Sequence, residues 1–133
     1  MGTTLANNTA YENKFGGFDI FYSDYSQLFD NEAHSNPNNG VWVGYSHGAL
    51  LSGNSLHNNS GYGLYVINAN FTSVANNWVF NNSNDGVGIA SSNYTNLTGN
   101  ELYNNSDAGA YVYSGSLHTT LMHNVAHNNS DDG

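Results

Sequence analysis

Carboxylates, imidazoles and aromatic rings are the chemically capable side chains of this sequence, and they recur at fixed intervals. Asp85, Asp107 and Asp131 lie just ahead of repeated glycines, Asp132 stands beside the last, and Asp19, Asp24 and Asp30 cluster near the start. Carboxylates stacked about 5 Å apart repel one another, and Ca²⁺ would relieve that repulsion through oxygen ligands, although the spacing matches no recognised calcium loop. Local turn chemistry is the competing explanation for these Asp residues. Among the six His, His34 and His57 are 23 residues apart, while His123 and His127 are four apart. Such pairs suit Cu or Zn, but no complete ligand set accompanies them, and exposed or stacked imidazoles are the alternative.

The rings form two columns. One reads Tyr11, His34, His57, Phe80, Tyr103 and His127; the other reads Asp19, Trp42, Tyr65, Gly88 and Tyr111, with Tyr22 and Tyr45 nearby. Rings standing on an outer face can stack on pyranose faces, pack against another protein, or stabilise one another like to like.

What positions these side chains is a repeat. Gly17, Gly40, Gly63, Gly86 and Gly109 are spaced 23 residues apart and Gly133 follows after 24, a shift repeated by Asn124 in the column Asn8, Asn31, Asn54, Asn77 and Asn100. One residue is therefore inserted between Gly109 and Asn124. The first and third residues after each glycine are apolar, as in Val41 and Val43 or Leu64 and Val66, which is the alternation of a strand with one buried face. Two more apolar columns follow, one from Leu5 to Leu121 and one from Ala10 to Ala126, so each unit supplies three short strands. Units this small cannot each bury a core, but coiled into a solenoid they stack every column on itself. The glycine would permit a tight or positive-φ bend before the first strand. The Asn8 column suits an internal ladder of amides, and the "NNS" phrase at 58 to 60 and its copies suits the next turn.

Composition narrows the functions. Ten carboxylates face a single basic residue, Lys14, for a formal net charge of −9. A surface so poor in cations will not neutralise phosphates, which excludes nucleic acid and anionic membranes as natural partners and disfavours highly acidic polysaccharides unless a metal mediates. No Cys is present, so disulfides and thiolate metal sites are ruled out. No apolar run is long enough for a membrane span, and "MGTTLANNTAYENKF" has no signal-peptide centre, so the expectation is either a cytosolic chain or one whose leader was removed. Asn-x-Ser/Thr triplets such as Asn70-Phe71-Thr72, Asn93-Tyr94-Thr95 and Asn96-Leu97-Thr98 would be glycan acceptors in a secreted chain. Regular Thr ranks of an ice-binding kind are lacking.

The pattern "LxxNxLxxNNSxxGVxV", running from about Leu5 to Gly133, resembles the right-handed parallel β-helix repeats of carbohydrate-binding and sugar-hydrolysing proteins, a group that includes pectate lyase-like enzymes, mannuronan epimerase modules and NosD-like proteins. The epimerase resemblance implies a catalytic role for Asp19, because Phe18 and Asp19 fit part of a Tyr-Gly-Phe-Asp-Pro-His signature. Its Pro and His positions are Ile20 and Phe21 here, its Tyr falls on Phe15 or Gly16, and its second Asp would fall on Gly44. Proton abstraction from a sugar carbon needs a base, an acid and a group that neutralises the substrate carboxylate, and Asp19 alone cannot fill all three roles.

The expectation is thus a single domain, a right-handed parallel β-helix of about six coils of 23 residues with three parallel sheets. It is expected to be a segment of a longer protein, or to lack caps and associate through its open solenoid ends. The expected function is a non-catalytic extracellular or cell-surface module that binds polysaccharide through outward rings, with no obligatory cofactor and Ca²⁺ as the metal to test. The alternatives are a self-assembling structural module and a polysaccharide lyase or epimerase fragment centred on Asp19.

Overall fold

Short apolar alternations separated by Asx-rich corners give short strands, and the computed structural model, which describes residues 2–133, contains seventeen of them and no helix. The first sheet stacks β1 (Thr4–Ala6), β4 (Gln27–Phe29), β7 (Leu50–Ser52), β10 (Ser73–Ala75), β13 (Asn96–Thr98) and β16 (Thr120–Met122). The second stacks β2 (Thr9–Tyr11), β5 (Glu32–His34), β8 (Ser55–His57), β11 (Trp78–Phe80), β14 (Glu101–Tyr103) and β17 (Val125–His127). The third stacks β3 (Phe18–Phe21), β6 (Val41–Gly44), β9 (Leu64–Ile67), β12 (Val87–Ala90) and β15 (Ala110–Tyr113). All pairings are parallel, and the register is 23 residues from coil to coil, as in Leu28↔Leu51 and Val43↔Val66, becoming 24 only where β13 meets β16 and β14 meets β17. Five full turns and two strands of a sixth result, close to the expected six.

The three apolar columns fill the interior. Leu28, Leu51, Leu56, Val66, Val74, Val79, Ile89 and Leu97 are fully buried. Each such side chain contributes about 1.5–3 kcal/mol of transfer free energy, and no single coil could collect enough of it alone.

Polar ladders line the corners. Asn54 donates its N–H and its Nδ2 to Asn77 Oδ1, both at 2.9 Å, while Nδ2 also reaches Leu28 O at 3.0 Å. The same triad repeats along the Asn8 column. A second ladder of identical design runs through Asn13, Asn36, Asn59, Asn82, Asn105 and Asn129. The second Asn of each "NNS" is therefore a ladder amide of the core wall, buried at Asn59, Asn82 and Asn105 and half-buried at Asn129, more than a turn former. Each ladder residue follows a residue in the left-handed region, such as Asp30 before Asn31 and Asn58 before Asn59, so the backbone bends outward and the amide swings inward.

The repeated glycine differs from expectation. Gly86 does not take a positive φ; a Cβ there would lie 2.6 Å from Gly109 O and 2.8 Å from Asn105 Nδ2. The residue is selected by the close approach of the next coil and its ladder amide. The extra residue of the last unit is Gly115: Ser91 still aligns with Ser114, whereas Ser92 N–H reaches Ser116 Oγ. Gly115 has φ +73° and open space around it, so the insertion bulges outward and leaves both flanking sheets in register.

Candidate functional site

The third sheet feeds directly into a corner of unusual composition. In a regular strand alternate residues face out, which places Asp19, Trp42, Tyr65, Gly88 and Tyr111 in one outward row and Phe21, Gly44, Ile67, Ala90 and Tyr113 in the next. The small residues in these rows are covered by neighbouring rings. Phe21 lies over Gly44 and meets Trp42 edge-on at 4.7 Å, and Tyr62 lies over Gly88 while stacking on Tyr65 at 4.7 Å. Tyr113 donates its hydroxyl to Tyr65 Oη at 3.2 Å and stacks on Tyr111 at 4.9 Å. Burial, and then its hydrogen bonds to Tyr62 and Tyr65, push the Tyr113 phenol well above the usual range. Trp42 and Tyr65 are thus committed to packing within this pavement, and Trp42 Nε1 is buried without a partner. Tyr111 remains half exposed.

At the exit of the same sheet, Tyr22 and Tyr45 occupy equivalent left-handed positions with φ of 48° and 50°. Their rings stack at 5.1 Å, and they are 77% and 45% exposed. With Asp24, His47 and Asn68 they line a cleft of about 360 Å³. Asp24 Oδ1 accepts the His47 N–H at 2.7 Å, and His47 Nδ1 accepts the Asn70 N–H at 3.1 Å, so both side chains are fixed from the backbone of the next coil. A second ring column runs along the far side of the corner, where Phe71, Tyr94 and His118 stack at 5.0 and 4.7 Å. Of the residues at this corner, the sequence singles out Tyr22 and Tyr45 as rings and Asp24 as a carboxylate. The 23-residue spacing of Tyr25, Phe71 and Tyr94 was the missed signal, masked because Gly48 interrupts the column.

The ring column of the second sheet is continuous. Tyr11, His34, His57, Phe80, Tyr103 and His127 stack at 4.6–5.2 Å with interplanar angles of 2–9°. Their faces therefore cover one another and their edges face outward. His57 Nε2 pairs with Glu32 Oε1 at 3.1 Å, and His127 lies 3.7 Å from Glu101. The His34 and His57 rings lie face to face with their planes within 2° and their centroids 5.0 Å apart, so their in-plane nitrogen lone pairs run parallel and do not converge on one metal.

Asp85, Asp107 and Asp131 do converge, lining a cleft of about 230 Å³ with Ala108 and Tyr111. Asp85 is buried, and its Oδ1 accepts the Ala108 N–H at 3.0 Å, as Asn39 Oδ1 accepts the Tyr62 N–H two coils earlier. Desolvation raises its carboxyl above the ordinary range, with repulsion from Asp107 and Asp131 adding to the rise. Among the described residues, no three His, Asp or Glu side chains are arranged to hold a metal ion. Asp19 is exposed on the edge strand β3 with Trp42 as its register neighbour, and partial desolvation raises its carboxyl. No hydrogen bond or ion pair reaches its side chain among the described residues.

Comparisons with known proteins agree on architecture. A solved structure described as the periplasmic alginate epimerase AlgG superposes with a TM-score of 0.84 at 20% identity, covering 93% of this chain and 39% of its own. Pectate lyase Pel9A gives a TM-score of 0.88 at 17% identity over 97% of this chain and 38% of its own. The A-module of the Azotobacter vinelandii mannuronan C-5 epimerase AlgE6 gives 0.61 at 15% identity over 99% and 57%. At such identities the likeness is one of fold, and this chain spans about two fifths of the length of the first two. No curated protein sequence matches. The family described as "Right handed beta helix region" matches residues 1–133, so this chain, with three parallel sheets wound from 23-residue coils, belongs to the right-handed parallel β-helix family.

Proposed function

We propose that the chain is a non-catalytic carbohydrate-binding module whose contact surface is the outer face of the third sheet together with its exit corner. One observation carries the reading: large rings stand in strained backbone positions where they are exposed. Tyr22, Tyr25, Tyr45, Phe71 and Tyr94 all take positive φ, a conformation that costs a bulky L-residue roughly 1–2 kcal/mol and that Gly48 and Asn68 fill in the same columns at less cost. Stacking between ring pairs returns only about 0.5–1.5 kcal/mol. A turn needs no ring there, and a sugar face does.

The polysaccharide-acting names of the solved relatives support a glycan partner, and the net charge of −9 favours a neutral one. Such a role suits an extracellular or cell-surface protein. Asp19, without an acid or base beside it, is read as a flanking polar contact of this surface. Trp42 and Tyr65 shape it from beneath, and Tyr22, Tyr45 and Tyr111 are the rings that meet the ligand.

The test is affinity electrophoresis of the purified chain through gels containing neutral or acidic polysaccharides, with and without Ca²⁺. Retardation by a neutral polymer that is abolished in the Tyr22→Ala, Tyr45→Ala double variant supports the module. Unchanged mobility in every gel removes it and leaves the self-associating structural module.

A further inference from the structure

We infer that the corner cleft is a subsite for one neutral pyranose unit, read through two neighbouring hydroxyls by Asp24 and His47 and closed to uronates. This rests on the carbohydrate-binding reading above and names its ligand class. A third polar column, on the outside of the corner, carries it. Asp24 Oδ1 accepts the His47 N–H, His47 Nδ1 accepts the Asn70 N–H, Asn70 Oδ1 accepts the Asn93 N–H at 2.7 Å, and Asn93 Oδ1 accepts the Leu117 N–H at 2.8 Å. A backbone N–H can only donate, so Nδ1 of His47 must be the acceptor and the neutral ring carries its proton on Nε2. The tautomer is fixed by the fold.

Two hydrogen-bonding functions are then left over in the cleft. Asp24 retains Oδ2 as a charged acceptor, and His47 retains Nε2–H as a donor, one coil apart at the roughly 4.8 Å strand spacing. A diol matches this pair: one hydroxyl donates to the carboxylate and its neighbour accepts from the imidazole. Tyr22 and Tyr45 stack along the solenoid axis at 5.1 Å, Phe21 meets Tyr45 tilted at 5.9 Å, and the column then passes to Asn68, so the outward edges of the Tyr pair border the cleft. A pyranose lying against those edges, with its plane along the solenoid axis, would span Asp24 and His47 and have the Asn68 amide as a further partner. No Lys or Arg lines the cleft, so a uronate carboxylate would meet Asp24 uncompensated.

The column also supplies variants that keep the fold. Asn does at positions 70 and 93 what Asp24 and His47 do for the backbone. Asp24→Asn and His47→Asn therefore preserve the acceptor for the next coil while replacing Oδ2 or removing Nε2–H. Isothermal titration of the intact chain with oligosaccharides of a neutral hexose polymer and of polygalacturonate is the experiment, with thermal unfolding recorded for each variant. The expected result is that the wild type prefers the neutral ligand, and that each variant weakens this binding about tenfold or more with its unfolding temperature unchanged. Neutral-ligand affinity that both folded variants retain would overturn the subsite and leave the module reading standing. A wild-type preference for the uronate would overturn the ligand class, and binding of neither would overturn both.

Discussion

Asn77→Ala probes what the internal ladder contributes. Asn77 Oδ1 accepts two donors from Asn54, the backbone N–H and Nδ2, each at 2.9 Å, and Asn77 Nδ2 donates to Leu51 O, Ala75 O and Asn100 Oδ1. Truncation orphans the Asn54 N–H completely and one of its two amide hydrogens, both in the buried core wall. An orphaned buried donor costs about 1–3 kcal/mol, so the loss is roughly 2–6 kcal/mol before any cavity is counted. With a urea m-value of about 1–3 kcal/mol/M, the midpoint should fall by about 1 M or more. Asn8→Ala is the internal control. Asn8 is exposed and its side chain only donates, to Ala6 O and Asn31 Oδ1, so its removal should cost under about 1 kcal/mol. Asn77→Asp separates hydrogen bonding from volume: it keeps the shape but sets a carboxylate against Leu51 O and Asn100 Oδ1, and should cost at least as much as alanine. Equilibrium unfolding in urea, followed by circular dichroism, measures all three. Equal midpoints for Asn77→Ala and Asn8→Ala would refute the view that ladder amides hold the coils together.

Asp85→Asn keeps the oxygen that accepts from Ala108 N–H, as Asn39 does for Tyr62, and removes a buried charge, so it should stabilise the chain at pH 7 by about 0.5–2 kcal/mol in thermal melts. Its folded carboxyl sits above the ordinary value, so the destabilisation by charge is complete above the folded pKa and vanishes below the unfolded value of 3.8; the variant's advantage should disappear on acidification. Gly86→Ala should cost about 1–3 kcal/mol, because a Cβ meets Gly109 O at 2.6 Å, whereas deletion of Gly115 restores the 23-residue period and should leave the unfolding temperature unchanged or higher. Phe80→Ala removes two ring contacts, to His57 at 4.6 Å and Tyr103 at 4.8 Å, and should cost about 1–3 kcal/mol without altering glycan affinity, read by unfolding and by affinity electrophoresis.

Periodicity carried the fold, because a solenoid repeats every contact at one sequence interval and columns such as Leu28, Leu51 and Val74 show it directly. The second Asn ladder was less legible. Asn59 is indistinguishable in sequence from a turn former, and only the left-handed bend at Asn58 turns it inward. The repeated glycine was assigned a conformational role where a steric one holds, since sequence reveals the residue type but not the atom it must avoid. For the site, the sequence named the rings but not their commitments. Trp42 and Tyr65 read as equals of Tyr22, yet they are locked under Phe21, Tyr62 and Tyr113, while the exposed rings cluster at the corner. Asp24 and His47 gained meaning only when the coil-to-coil hydrogen bonds fixed them.

A ¹H–¹⁵N correlation spectrum titrated with a neutral oligosaccharide tests the proposed site most directly, because the His47 and Asn70 backbone N–H groups are bonded to Asp24 and His47 and report on the cleft. The account predicts saturable shifts centred on His47 and Asn70 and extending to Tyr22, Tyr45 and Asn68. Shifts centred instead on the Tyr11 to His127 column, or a spectrum that does not respond, would contradict it.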